Sequence, residues 1–173
     1  MEHKQLLTVF NSLPVGIGFF TADGTLVRCN ESFCRIFGAD SQTLLGNKLN
    51  INENSVVPDV VKEAVRRCVP VQMSFLYDFD KQRTDKRFFS TRTRTCYLKC
   101  NGNPLYDNDG KFVNYIFIFE DITETVKSEE VLRQSRRKTE LAMKAANIMF
   151  WEFDAVAKLF YSDNEPLNGY DQS

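Results

Sequence analysis

The sequence predicts an α+β fold, an antiparallel sheet with helices packed on one face. Three observations point there. Segments rich in strand formers lie on both sides of a helical middle. Two Asp-Gly pairs, Asp23-Gly24 and Asp109-Gly110, mark tight turns between neighbouring strands. Residues 57–69 repeat apolar side chains at helical spacing, whereas residues 71–79 alternate strictly.

Each element follows in order. Residues 4–13 carry Leu6, Leu7, Val9, Phe10 and Leu13, a short helix that Pro14 ends. Residues 15–22, VGIGFFTA, and 25–29, TLVRC, form a hairpin across Asp23-Gly24. Asn30 is placed to cap a helix, because its side-chain oxygen accepts an orphan backbone N–H. Phe33, Cys34 and Phe37 make the apolar face of that helix, and Gly38 closes it. Ser41 is read as the cap of a further short helix ending at Gly46, and residues 47–55 are polar and irregular.

The cleanest helix covers residues 57–69. Val57, Val60, Val61, Ala64, Val65, Cys68 and Val69 form its apolar stripe, opposite Lys62, Glu63, Arg66 and Arg67. Pro70 stops it. In residues 71–79, Val71, Met73, Phe75, Tyr77 and Phe79 share one face, with Gln72, Ser74 and Asp78 on the other. A charged loop is expected next, and then a strand over 88–100. Asn101-Gly102 reads either as a turn or as a glycine inside a longer strand. Residues 112–119, FVNYIFIF, are apolar on both faces, as a central strand requires.

Composition changes at Glu120. Residues 124–140 contain neither Gly nor Pro and are rich in helix formers. Leu132, Ser135, Thr139, Ala142, Ala146 and Met149 follow a heptad-like seam with too few large apolar residues to be stable unaided. Residues 150–173 read as a strand, FWEFDAV, followed by a polar tail ending in YDQS. Phe150, Trp151, Phe153 and Phe160 are too apolar for a free tail and too few for a separate domain.

Composition excludes several functions. The chain of 173 residues suits one domain, or one domain with an appendage. A formal net charge of −1 argues against a non-specific nucleic-acid or membrane-surface binder. No apolar run approaches the roughly 20 residues of a membrane span. The MEHKQLL start lacks the apolar stretch of a signal peptide. The one histidine, His3, cannot alone build a metal site or an acid–base pair, so no metal and no catalysis are expected of this chain. The five cysteines contain no CxxC spacing and read as reduced thiols. Cys96 and Cys100, four apart on a strand, would lie about 13 Å apart, too far for a direct disulfide.

The segments VGIGFFTADGTLVRCNESFCRIFG and NPLYDNDGKFVNYIFIFEDITE resemble the opening and closing pieces of the PAS domain family, and the likeness covers residues 8–123. The second ends in the family's Asp-Ile-Thr signature, Asp121-Ile122-Thr123. The resemblance implies five antiparallel strands in the order 2-1-5-4-3, with helices on one face and a projecting C-terminal helix. It also implies an organisation of residues 1–123 as the sensor domain, 124–149 as a helical signalling linker and 150–173 as the start of a second such domain.

The resemblance further implies a sensory module of a bacterial two-component sensor, a histidine kinase. Such a module pairs as a homodimer through its N-terminal segment, sheet face and linker helix, and works in the cytoplasm or as the cytoplasmic part of a membrane-anchored sensor. No contact with nucleic acid or membrane is expected, and kinase domains would lie downstream in the parent. No phosphoacceptor helix or glycine-rich ATP lid is present in the chain itself. The alternatives are a passive interaction domain, or the sensor part of a cyclic-dinucleotide enzyme.

The family's cavity between sheet and helices would be lined by Phe33, Phe37, Leu44, Leu45, Val61, Val65, Met73, Phe75, Tyr97 and Phe117. It is either a filled core or a site for a small apolar or aromatic ligand. Flavin is not expected, since residues 41–52 carry no cysteine where light-sensing relatives have one. Haem is not expected, since residues 57–69 carry no histidine. Asp121, Ile122 and Thr123 are the expected signal-coupling residues. There Thr123 would cap the output helix and Asp121 would pair with a nearby Arg or a backbone N–H.

Overall fold

The computed structural model describes residues 2–83, 90–146, 151–154, 156, 159–162 and 165–166. The chain divides into two compact units, Met1–Val126 and Lys127–Ser173.

In the first unit, helix α1 (Glu2–Ser12) precedes strands β1 (Gly16–Phe20) and β2 (Leu26–Cys29). Helices α2 (Glu31–Phe37), α3 (Ser41–Gly46) and α4 (Asp59–Arg67) follow. Strand β3 (Val71–Asp78), the short helix α5 (Phe79–Arg83) and strands β4 (Thr95–Tyr106) and β5 (Phe112–Asp121) complete the domain, and α6 (Thr123–Ala145) leaves it. The sheet order is β2-β1-β5-β4-β3, with every pairing antiparallel.

Both turn signals hold, because Gly24 (φ 86°) and Gly110 (φ 76°) supply the left-handed backbone the turns need. Gly102 is not a turn. It lies within β4 opposite Phe117, where a side chain would collide: a Cβ would sit 2.4 Å from the Phe117 ring and 2.7 Å from the Tyr115 ring. Glycine is the residue that lets these two buried rings lie against the strand.

Asn30 ties three elements together. Its side-chain oxygen accepts from the backbone N–H groups of Ile17 and Phe33, each at 2.9 Å. Its amide donates to the carbonyls of Phe10 and Val15, at 3.0 and 2.9 Å. Fully buried, it uses its whole bonding capacity to fix α1, β1 and α2. The aromatic core packs over the sheet beside α2: Phe33 lies 4.5 Å from Phe37 and 5.8 Å from Phe119, and Phe37 lies 5.5 Å from Tyr77 between ring centres.

Several expectations change. Asp40, not Ser41, caps α3, accepting from the Thr43 N–H at 2.7 Å. The α4 stripe is narrower than its spacing implied: Val61, Ala64 and Val65 are buried, while Val60 and Val69 are 63% and 43% exposed. Phe79 ends no strand. It opens α5, because the Asp78 carboxylate accepts from the Asp80 and Lys81 N–H groups and so nucleates a turn.

The predicted strand over 88–100 begins only at Thr95, and its residues 88–89 lie outside the described residues. Residues 90–92 instead strap onto the end of α2. There Ser90 Oγ donates to Phe37 O at 2.7 Å and the Thr91 N–H to Gly38 O at 2.6 Å. Arg94, with φ 73°, then breaks the extended backbone.

In the second unit, β6 (Trp151–Asp154) is joined by β7 (Leu159–Ser162) and β8 (Glu165–Pro166) in an antiparallel sheet. The expected single strand with a tail is therefore three strands. Phe150, Met149 and the terminal YDQS lie outside the described residues.

Candidate functional site

Two features sit where the sequence placed function. The first is the cavity. About 20 Å³ of space remains among Phe20, Phe33, Phe37, Val61, Phe75, Tyr77 and Phe119, with Asn50 and Asn54 also lining it. A cavity that size holds about one water molecule. The aromatic rings themselves fill the rest. One polar network borders the cavity: Asn54 Nδ2 donates to Tyr77 Oη at 3.1 Å, and Tyr77 donates to Gln82 Oε1. Burial pushes the Tyr77 phenol above its ordinary value against these hydrogen bonds, so it stays neutral.

Of the candidate lining residues, Phe33, Phe37, Val61 and Phe75 surround this space. Leu44, Val65 and Phe117 are fully buried in the surrounding core, and Met73 packs against it half-buried. Leu45 and Tyr97 do not join them. Leu45 is 37% exposed on the outer side of α3. Tyr97 is 40% exposed because β4 turns Cys96, Leu98 and Cys100 inward and therefore its intervening residues outward.

Sequence reasoning missed Phe20, Leu49, Asn50, Ile51, Asn54, Val57, Tyr77 and Phe119 as lining residues. Two had a readable signal: Phe119 shares the parity of Phe117 in β5, and Tyr77 that of Phe75 in β3. Asn54, in an irregular segment, had none.

The second feature is the joint between β5 and α6. The Asp121 carboxylate accepts from the Thr123 N–H at 3.1 Å and from Thr123 Oγ1 at 2.5 Å. Thr123 Oγ1 in turn accepts from the Tyr97 N–H at 2.9 Å, and the Ile122 N–H donates to Tyr97 O at 2.9 Å. The other Asp121 oxygen holds Arg92 at 2.9 Å. Arg92 reaches further: its guanidinium donates to Ile36 O at 3.0 Å and lies 5.2 Å above the Phe79 ring.

One arginine thus links the C-terminal end of α2, the start of α5 and the exit of β5. Burial raises the Asp121 carboxyl, but the hydrogen bonds from Thr123 and the Arg92 charge outweigh it, leaving the group below its ordinary value and ionised at neutral pH. The sequence anticipated a nearby Arg; the irregular strap over 90–94 is what brings Arg92 there.

A sequence model of the PAS fold matches residues 10–127. The chain belongs to the PAS fold family. A PAS domain is a sensory module and not itself a catalyst. The chain is 20% identical over 157 residues, 91% of its length, to the probable diguanylate cyclase DgcE of Escherichia coli (strain K12), and spans 14% of that protein. An RNA-binding light-oxygen-voltage receptor superposes with a TM-score of 0.59 at 18% identity, over 78% of this chain and 37% of the receptor. A PAS domain from a two-component sensor histidine kinase superposes with a TM-score of 0.51 at 14% identity, over 69% of this chain and 96% of that domain. Among the described residues, no helix is long and apolar enough to cross a membrane.

Proposed function

We propose that this PAS domain is a dimeric signal relay, which passes a change of helix angle or register through α6 to a catalytic output domain of its parent protein. The Arg92–Asp121–Thr123 clasp carries this reading. It connects α2 to the first turn of α6 by charge-assisted bonds, and β4 to the same turn by the Tyr97 N–H bond to Thr123 Oγ1. A shift of α2 therefore changes what holds the helix exit. The mechanism is two-state, since an input must favour one arrangement of the clasp over the other.

The pair forms through α1, the outer sheet face and α6. Exposed Val131, Leu132 and Leu141 on α6 support this reading, at 68%, 53% and 58% exposure. The signal is a packing change; a small apolar or aromatic ligand enters only if the rings around the cavity turn aside. The domain works in the cytoplasm, without contact to nucleic acid or membrane.

The output we put first is a histidine kinase, on the tandem arrangement of a PAS domain, a helical linker and a second β-rich unit. A second reading, a cyclic-dinucleotide enzyme, is favoured by the match to DgcE along 91% of the chain. Assay of the full-length parent decides between them: phosphate incorporated from ATP, or cyclic dinucleotide made from GTP. Arg92→Ala and Asp121→Ala in that parent should each change basal output by about tenfold, the equivalent of roughly 1.4 kcal/mol in the switching equilibrium. Unchanged output in both variants would exclude the clasp as the relay.

A further inference from the structure

The five cysteines are not equivalent. Cys96 and Cys100 are buried on β4, and Cys68 stands at the end of α4. Cys29 and Cys34 are different. Cys29 is the last residue of β2, Cys34 lies in α2, and their sulfurs are 3.8 Å apart. The Asn30 cap between them turns the chain back, so that the strand end and the helix face each other. Both thiols are half-buried. Cys34 is partly exposed and borders a shallow, open depression with Arg35, Asp40, Thr91 and Arg92.

We propose that Cys29 and Cys34 form a redox site that closes to a disulfide with a small peroxide as oxidant. The Cys34 sulfur attacks one peroxide oxygen, giving up its proton as the O–O bond breaks. The sulfur is oxidised to a sulfenic acid, and the departing hydroxide takes up the thiol's proton as water. The Cys29 sulfur then attacks the sulfenic sulfur, forming the S–S bond, and its proton leaves with the displaced hydroxide as a second water. In sum, two thiols are oxidised to one disulfide and one peroxide is reduced to two waters.

The two sulfurs start 3.8 Å apart, and the bond forms as they close to about 2 Å. Burial pushes Cys29 up to about 12, and burial together with Asp40 and Glu31 raises Cys34. Both therefore remain thiols in neutral solution, and the site answers sustained oxidant, not trace exposure.

Trypsin cleavage after Arg28 and Arg35 releases both cysteines in one peptide, CNESFCR. The reduced, folded chain is treated with hydrogen peroxide, its free thiols are alkylated, and the digest is read by mass spectrometry. The proposal expects this peptide to escape alkylation and to be lighter by two hydrogen atoms, with dithiothreitol reversing the change. Cys29→Ser and Cys34→Ser should each abolish it, leaving the remaining sulfur alkylated or oxidised alone. Two alkylated cysteines after peroxide treatment, or separate oxygen additions on each without the mass loss, would overturn the proposal. So would a mass loss that appears only when peroxide is added to urea-unfolded chain.

Discussion

Asn30 shows what one residue contributes to this domain. Asn30 is fully buried and makes four hydrogen bonds, two of them to backbone N–H groups that are buried as well. Asn30→Ala should lower unfolding stability by about 3 kcal/mol, combining a lost cap with buried groups left unpaired. Urea titration of the purified chain measures this, and a cost below about 1 kcal/mol would mean that the clamp adds little beyond an ordinary cap. Half of Asn30 was legible in the sequence. An Asn just before an apolar helical repeat reads as a cap, because capping is local. Its bonds to Phe10 and Val15 were not legible, since they depend on where α1 lies. The same distinction separates Asp121 from Arg92: the turn is written in three consecutive residues, although Asp121 and not the expected Thr123 accepts its backbone N–H, whereas the ion pair spans 29 positions of sequence, from 92 to 121.

At the scale of elements, alternation was the most informative signal. It assigned the inward face of β3 correctly, because a strand with one buried face must repeat every second residue, whereas β5, read as apolar on both faces, buries only Tyr115, Phe117 and Phe119 fully. Alternation also misled. Thr91 to Thr95 alternate with Arg92 and Arg94, yet residues 90–94 form a strap, as the hydroxyls of Ser90 and Thr91 find carbonyls at the end of α2. Leu45 and Tyr97 were expected in the family's cavity, and both lie at the surface. Gly102, ambiguous in sequence, has a single physical meaning in the sheet. Gly102→Ala should destabilise the domain by about 1 to 3 kcal/mol, because the added Cβ overlaps two fully buried rings that cannot move freely. Thermal or urea unfolding gives the value. A neutral effect would show that the Tyr115 and Phe117 rings shift at little cost.

At the scale of the whole molecule, the contrast is between a densely packed domain and a helix that buries nothing. The 23 residues of α6 contain no buried side chain among those described. Such a helix is marginal alone, so its order depends on how it starts and on what it pairs with. The start is the clasp. A cavity of about 20 Å³ leaves little room for a resident ligand, and this places the weight of the account on packing transmitted through Arg92 and Asp121. The fold class was legible because turns, alternation and family motifs all agreed, and the strand order followed from the family resemblance alone. The state of the cavity was not, because volume depends on how the rings of separate elements interlock.

The account is tested most directly by amide hydrogen exchange along α6 in the purified chain and its Arg92→Ala variant. Coupling through the clasp predicts several-fold faster exchange in the variant over Val126–Ala142, with protection in β4 and β5 retained. Identical exchange along α6 in the two proteins, with the core equally protected, would contradict it: the helix would then be independent of the domain that is held to control it.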